Sequence, residues 1–378
     1  MNPSTLSKAK PFLDALRPEI RDLPRYNSGL SIDYVRKHYG VDRIAKLGSN
    51  ENPYGPSPKV VEAIAQAAAQ VALYPEPSCD PLREAMAERL GVAPERFIFG
   101  NGSEDMIAAS VHTFVAPGEH VVTFAPAFGL HVIWPRSVGA HVCAVPVDSA
   151  YAPDIDATLA AITPRTRMVI FSSPSNPVGT AITGDDLRRI LAHLSPETLL
   201  VFDEAYREYA STDPDYPDFF ALLNNEAESP WLMLRTFSKA YGLAGLRVGY
   251  AIASDPELID LMDRVRAPFN VNRLAQVAAI AALDDMAYVE QVVARTIAER
   301  GRVRAELESL GYRVAPSLAN FLFVQARENA ADLAKRLLTR GVIVKPWQEP
   351  AYQDHLRVSI GLPTENDQFL DAWISLAK

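Results

Sequence analysis

Trp231-Leu232-Met233-Leu234-Arg235-Thr236-Phe237-Ser238-Lys239-Ala240-Tyr241-Gly242-Leu243-Ala244-Gly245-Leu246-Arg247 reads as a short apolar strand running into hydroxyl and small residues around one lysine, with an arginine eight residues on. The strand shows no polar alternation, which suits burial on both faces of a sheet. Other runs share that character: His120 to Phe124, Met168 to Phe171, Leu199 to Phe202 and Val248 to Ile252. Helical stretches over Val60 to Leu73, Gly184 to His193 and Pro256 to Arg264 alternate with them. That alternation predicts an α/β domain built on a mostly parallel sheet.

After about Ala267 the pattern changes. One long helical region is expected from Leu274 to about Leu310, then strands near Tyr312–Val314 and Asn320–Val324. A helix over Ala330–Leu338 and strands at Val342–Val344 and Leu356–Ile360 complete a smaller α+β unit. The expected division is an N-terminal arm over 1–30, a large domain over 31–267 and a small domain over 268–378, joined by part of the N-terminal segment.

The length of 378 residues fits about two or three domains. A net charge of −9 offers no basic excess for nucleic acid, and no uncharged run approaches a membrane span. The two cysteines, Cys79 and Cys143, form no CxxC or Cys/His cluster, so no metal site is expected. With no apolar signal core at the N-terminus, the expected location is cytoplasmic.

Several motifs follow strands, where open α/β sheets bind ligands. A lysine among small residues can form a Schiff base with a carbonyl cofactor. Thr236, Ser238 and Arg247 can hold an anion beside Lys239; the plain alternative is an exposed lysine in a turn. Gly100-Asn101-Gly102-Ser103-Glu104 precedes a helix expected from Asp105 to Val111, as phosphate-binding turns do, though such turns are common. In Phe171-Ser172-Ser173-Pro174-Ser175-Asn176-Pro177 the Asn side chain can face a ligand, or the segment is only a Pro-rich turn. Asp203 follows a buried run and wants a partner, such as a protonated pyridine nitrogen, unless it is a helix N-cap. Tyr206 can bond the cofactor's ring oxygen. Arg357, inside an apolar strand, suits a carboxylate, with an internal salt bridge as the alternative. Together these residues describe a site for pyridoxal 5′-phosphate (PLP).

In their order along the chain the motifs resemble class I/II aminotransferases of PLP fold type I. The chain further resembles the histidinol-phosphate aminotransferases, through Lys46-Leu47-Gly48-Ser49-Asn50-Glu51-Asn52-Pro53-Tyr54-Gly55-Pro56-Ser57-Pro58, Tyr74-Pro75, the Lys239 motif, Arg266-Ala267-Pro268-Phe269-Asn270-Val271-Asn272 and Ala319-Asn320-Phe321. The resemblance implies a large domain with a mixed, mostly parallel sheet covered by helices on both faces, plus a smaller α+β C-terminal domain. It implies a transaminase of the histidine pathway that carries histidinol phosphate and 2-oxoglutarate to imidazole-acetol phosphate and glutamate. Lys239 then bonds PLP and moves the proton, Asp203 holds the ring nitrogen, and Tyr206 and Asn176 hold the ring oxygen. Phe128 stacks on the ring, while Gly102, Ser103, Glu104, Thr236, Ser238 and Arg247 surround the phosphate. Arg357, Asn176, Tyr26, Asn320 and Lys345 face the substrate. The resemblance also implies a homodimer with shared sites, Tyr54 or Tyr74 being lent across.

The chain departs from the family pattern in three places. Phe128 replaces a common Tyr, His131 replaces a second aromatic, and Lys345 replaces a second anion-binding Arg, a point charge instead of a fork. An aromatic amino acid aminotransferase is the alternative reading, since Phe128, Tyr54 and Tyr74 can surround a ring. Decarboxylation of a phospho-amino acid is more distant. A PLP-binding half of a transcription regulator would need a DNA-binding domain, for which about 25 preceding residues are too few. Gly100-Asn101-Gly102 lacks the third glycine of a nicotinamide fingerprint.

Overall fold

The computed structural model describes residue 12 and residues 14–376; the beginning of the expected N-terminal arm lies outside the described residues. Thirteen strands are found there: β1 Ala45–Lys46, β2 Phe97–Gly100, β3 His120–Ala125, β4 His141–Pro146, β5 Thr166–Ser172, β6 Leu199–Asp203, β7 Trp231–Thr236, β8 Gly249–Ala253, β9 Arg313–Val314, β10 Phe321–Gln325, β11 Val342–Ile343, β12 Lys345–Pro346 and β13 His355–Ser359.

Seven of them form one sheet in the order β2-β8-β7-β6-β5-β3-β4. Neighbours pair in parallel from β7 through β6, β5 and β3 to β4, while β8 is antiparallel to both β7 and β2. Only β8 therefore runs against the rest, giving the expected mostly parallel mixed sheet. Alternate residues of each strand enter separate cores: Val169, Phe171, Leu200 and Phe202 pack in one, Met168, Ile170, Leu199 and Val201 in another. Period-2 alternation of apolar with apolar is what a strand covered on both faces needs.

Two members of the sheet were not anticipated. β2 has only four residues, and β4, although it contains the apolar run Val142-Cys143-Ala144-Val145, lies at the sheet edge with its side chains mostly exposed.

The second sheet has the order β12-β13-β10-β9 and is antiparallel in every pairing. Its core includes Leu322, Val358, Phe369 and Trp373, together with Ala45 and Leu47 from the other end of the chain. β1 pairs in parallel with β11, and Leu47 donates its N–H to Ile343 and accepts from Ser359. The segment leading to Asn50 is thus stitched between strands some 300 residues away.

Three expectations change. The long helix from Leu274 to Leu310 is two helices, Arg273–Leu283 and Met286–Ser309. The first is capped by Asn272, and Asp284-Asp285 break the run. The expected Val342–Val344 strand is shorter, β11 covering Val342–Ile343 and pairing with β1, and a separate β12 at Lys345–Pro346 pairs with β13. The helix after Gly102 also starts two residues earlier than expected, at Ser103.

Candidate active site

β2, β3, β5, β6 and β7 point the same way, so the segments after them gather along one edge of the sheet. These segments carry Gly102, Phe128, Asn176, Tyr206 and Lys239. The antiparallel β8 begins at that edge, which brings Arg247 back to it.

At the anion end, Gly102 sits at φ +81 before helix Ser103–Phe114. A Cβ there would stand 2.7 Å from Arg247 Nη2, and one at Gly249 would stand 2.4 Å from the Ser103 nitrogen. Glycine at both positions lets the backbone of Ser103 lie beside Arg247, where helix N–H groups and a guanidinium converge. Arg247 donates to the Asn101 carbonyl at 3.1 Å and lies 3.6 Å from the Glu104 carboxylate. Thr236 donates to Ser238 Oγ at 2.9 Å and accepts from the Ser238 N–H.

At the reactive end, Lys239 Nζ lies 5.8 Å from the Tyr206 ring centroid and reaches the Ser49 carbonyl at 3.4 Å. Burial, then the charge of Arg357, lowers its pKa to about 8. Tyr206 is buried, and burial pushes its hydroxyl up to about 12. Asn50 Nδ2 at 2.9 Å and Asn176 Nδ2 at 3.2 Å both donate to the Tyr206 oxygen, so its own proton is left to donate. Asn50, in the left-handed region at φ 57, is held by Ser359 through backbone and side chain and by Asn320 through its carbonyl.

Asp203 ends β6 fully within the fold. One carboxylate oxygen accepts the Ala205 N–H at 3.0 Å. The other lies 3.4 Å from His131 Nε2, which makes no hydrogen bond. Asp203 is not the N-cap of a helix, since the next helix, Arg207–Ala210, starts after Tyr206. Phe128 meets the His131 ring edge-on at 5.5 Å and Tyr26 at 6.1 Å.

Arg357 is buried on β13, and burial lowers its pKa. Its Nη1 donates to Asn176 Oδ1 and its Nη2 to the Gly48 carbonyl, each at 2.7 Å. Its Nε has no partner, and among the described residues no carboxylate pairs with it. The internal salt-bridge alternative therefore falls away: a buried guanidinium with an unused donor calls for an anion. Lys345 stands directly across from Arg357 in the β12–β13 ladder. Burial and Arg357 lower its pKa to about 8, its Nζ donates to the Asn27 carbonyl, and it lies 6.0 Å from the Tyr26 ring centroid.

These residues fit PLP on the structure's own terms. There is a lysine of lowered pKa, a phenol with a free proton, a buried carboxylate one oxygen short of a hydrogen bond, and a glycine-lined anion cradle.

Tyr54 and Tyr74 stand apart from this group. Tyr54 stacks under Arg295 at 5.6 Å, and Tyr74, 77% exposed, stacks on Phe269 at 4.6 Å. Sequence reasoning missed the roles of Asn50, Ser359 and the Gly48 carbonyl, which hold Tyr206 and Arg357. The Gly48-Ser49-Asn50 motif was visible, but its target lies far along the chain.

A family model for class I and II aminotransferases matches residues 42–372. The chain belongs to the class I and II aminotransferase family. It is 47% identical to histidinol-phosphate aminotransferase 3 of Rhizobium meliloti (strain 1021) over 357 residues, 94% of this chain and 96% of that protein. It is also 47% identical to histidinol-phosphate aminotransferase 1 of Mesorhizobium japonicum over 367 residues, 97% and 99% of the two chains. Among solved structures, histidinol-phosphate aminotransferase from Sinorhizobium meliloti in complex with pyridoxal-5′-phosphate is similar with a TM-score of 0.86, at 29% identity, covering 96% of this chain and 98% of that one. The family-level resemblance read from the motifs is borne out.

Proposed function

We propose that the chain is a PLP-dependent aminotransferase that takes histidinol phosphate as donor and 2-oxoglutarate as acceptor. The observation that carries the reading is the buried Arg357 with its unpartnered Nε, facing Lys345 across a strand pair and joined through Asn176 to Tyr206. Relatives named for histidinol phosphate at 47% identity support the choice of donor.

When bound, PLP supplies an aldehyde that condenses with amines and a cationic ring that takes up electrons from a deprotonated carbon. This chain's residues do the rest. Lys239, with a pKa near 8, is mostly protonated at neutral pH but keeps a minor neutral fraction far larger than an ordinary lysine's, and that neutral amine can serve as the base that removes the donor's Cα proton and redelivers it. Asp203 would hold the ring nitrogen of bound PLP by ion pairing and so favour its protonated form. Tyr206, held by two asparagines, would donate a hydrogen bond to the ring oxygen of bound PLP. Gly102, Ser103, Thr236, Ser238 and Arg247 hold the phosphate, with the Glu104 carboxylate orienting Arg247. Phe128 presents an apolar ring for stacking. Arg357 binds the anionic end of donor and acceptor alternately, with Tyr26, Asn320 and Lys345 around it.

The same reading carries a homodimer. Val71, Leu73, Tyr74 and Phe269 leave apolar surface exposed, 61%, 67%, 77% and 39% respectively, where a second copy would cover it. Tyr54 or Tyr74 would then reach the partner's site.

The test mixes PLP-loaded protein with single donors and follows loss of cofactor absorbance. Conversion at low histidinol phosphate, and only at high phenylalanine or tyrosine, is expected. Preference for phenylalanine or tyrosine would make this an aromatic aminotransferase, and no conversion with any donor would sink the assignment.

A further inference from the structure

Two residues before Arg357, on the same face of β13, stands His355. Its ring is 5% exposed and stacks on Phe323 at 4.8 Å, and Phe323 is the cross-strand partner of Arg357. His355 Nδ1 lies 2.6 Å from Asp354 Oδ1, and its Nε2 lies 2.9 Å from the Tyr151 hydroxyl. The aspartate fixes the tautomer with the proton on Nδ1, which leaves Nε2 to accept from the tyrosine. Gln325 holds the other Asp354 oxygen at 2.8 Å.

Tyr151 comes from the other sheet's side of the molecule. It is 5% exposed and sits in the left-handed region at φ 67, which a non-glycine residue adopts only at a cost. The Asp148 turn holds its backbone there, and Arg313 lies over its ring at 4.4 Å. Its carbonyl accepts the Thr180 hydroxyl at 2.9 Å. Thr180 in turn accepts the Ser175 N–H at 2.7 Å, one residue before Asn176.

Tyr151 therefore ties the loop carrying Asn176 to the strand carrying Arg357, running beside the direct Arg357–Asn176 bond. We propose that Tyr151, His355 and Asp354 form a brace that positions Arg357 against Asn176 and so sets the site's affinity for the anionic ends of donor and acceptor. The brace rests on the reading of Arg357 as the anion holder. Its members touch neither substrate nor cofactor, so they are positioning residues.

The experiment measures KM for 2-oxoglutarate and for histidinol phosphate, kcat, the cofactor absorbance spectrum and the melting temperature in Y151F, H355L, H355Q, the Y151F/H355L pair and R357Q. Y151F and H355L should each raise both KM values about five- to tenfold, as loss of one buried hydrogen bond implies. Their kcat should stay within about twofold and their spectra unchanged. H355Q, whose amide oxygen falls where Nε2 was, should recover most of the loss. The double variant should be no worse than the worse single one, because both remove the same bond. Unchanged KM in Y151F and H355L, or kcat falling with KM constant, overturns the brace, as does a lowered melting temperature with wild-type KM. Should Y151F fail to fold, the contrast between H355Q and H355L decides alone. If R357Q leaves KM unchanged, the anion-holder reading itself is wrong; if R357Q raises KM and Y151F does not, only the brace is.

Discussion

Replacing Lys239 with methionine should make the cofactor-free protein more stable at neutral pH. The folded site lowers the lysine's pKa from 10.5 to about 8, chiefly by burial. At pH 7 the amine is protonated in both folded and unfolded chains, so the whole unfavourable shift is felt. A shift of about 2.5 units corresponds to about 3 kcal/mol. Lys239 is only part-buried, and solvent screening reduces the figure to about 2 kcal/mol. Methionine fills similar volume without a charge to desolvate. For 378 residues, unfolding entropy near 2.1 cal/mol/K per residue converts that gain into about 2–3 °C of melting temperature. The pH dependence follows from the direction of the shift. As pH rises from about 8 towards 10.5 the folded state loses the proton first, so the wild type recovers stability through that window while the variant does not. Differential scanning calorimetry of both apoproteins at pH 7 and at pH 10.5 gives the comparison. A variant less stable than wild type at pH 7, or a gap that stays constant across the window, would refute the claim that Lys239 is held in an environment hostile to its charge.

The same pKa sets how fast apoprotein captures its cofactor. Recombination with PLP should quicken about fivefold from pH 7 to pH 8 and level off above pH 9, following the neutral fraction of Lys239; a flat profile in stopped-flow absorbance would show that another step governs. Asp203→Asn keeps the shape but removes the charge, and kcat should fall by roughly 10³ while the cofactor still binds; near-normal turnover would remove Asp203 from its role at the ring nitrogen. Gly102→Ala puts a methyl 2.7 Å from Arg247 Nη2 at φ +81 and should weaken cofactor affinity about tenfold at a stability cost of about 1 kcal/mol. An unchanged dissociation constant in a spectral titration would mean that Arg247 and this turn do not hold the phosphate.

Much of the site was legible because its residues sit at the ends of strands, and a buried strand announces itself by an unbroken apolar run. Asp203 directly follows such a run, and Lys239 and Asn176 come five residues after the ends of theirs, so local sequence placed them at one sheet edge before any tertiary contact was known. Helix Ala330–Leu338 has the bounds its apolar spacing predicts, with Asn329 capping it. The reading failed at Asp284-Asp285, where two acidic residues end one helix before the next begins, and at β4, where the apolar run Val142–Val145 sits at an exposed sheet edge.

By itself, then, the sequence determined the strand–helix alternation, the chemical types at the sheet edge and the lone lysine among them, since each depends on neighbours a few residues away. Tertiary structure alone decided the rest. It brought Asn50 across to Tyr206 and Ser359, left Arg357 buried with a donor to spare, and set Lys345 across a strand pair from it. Those relations join residues up to about 300 positions apart, and no local propensity encodes them. Only closure of the fold removes the water that would otherwise satisfy Arg357, and only then do a lowered lysine pKa and an unpaired guanidinium exist.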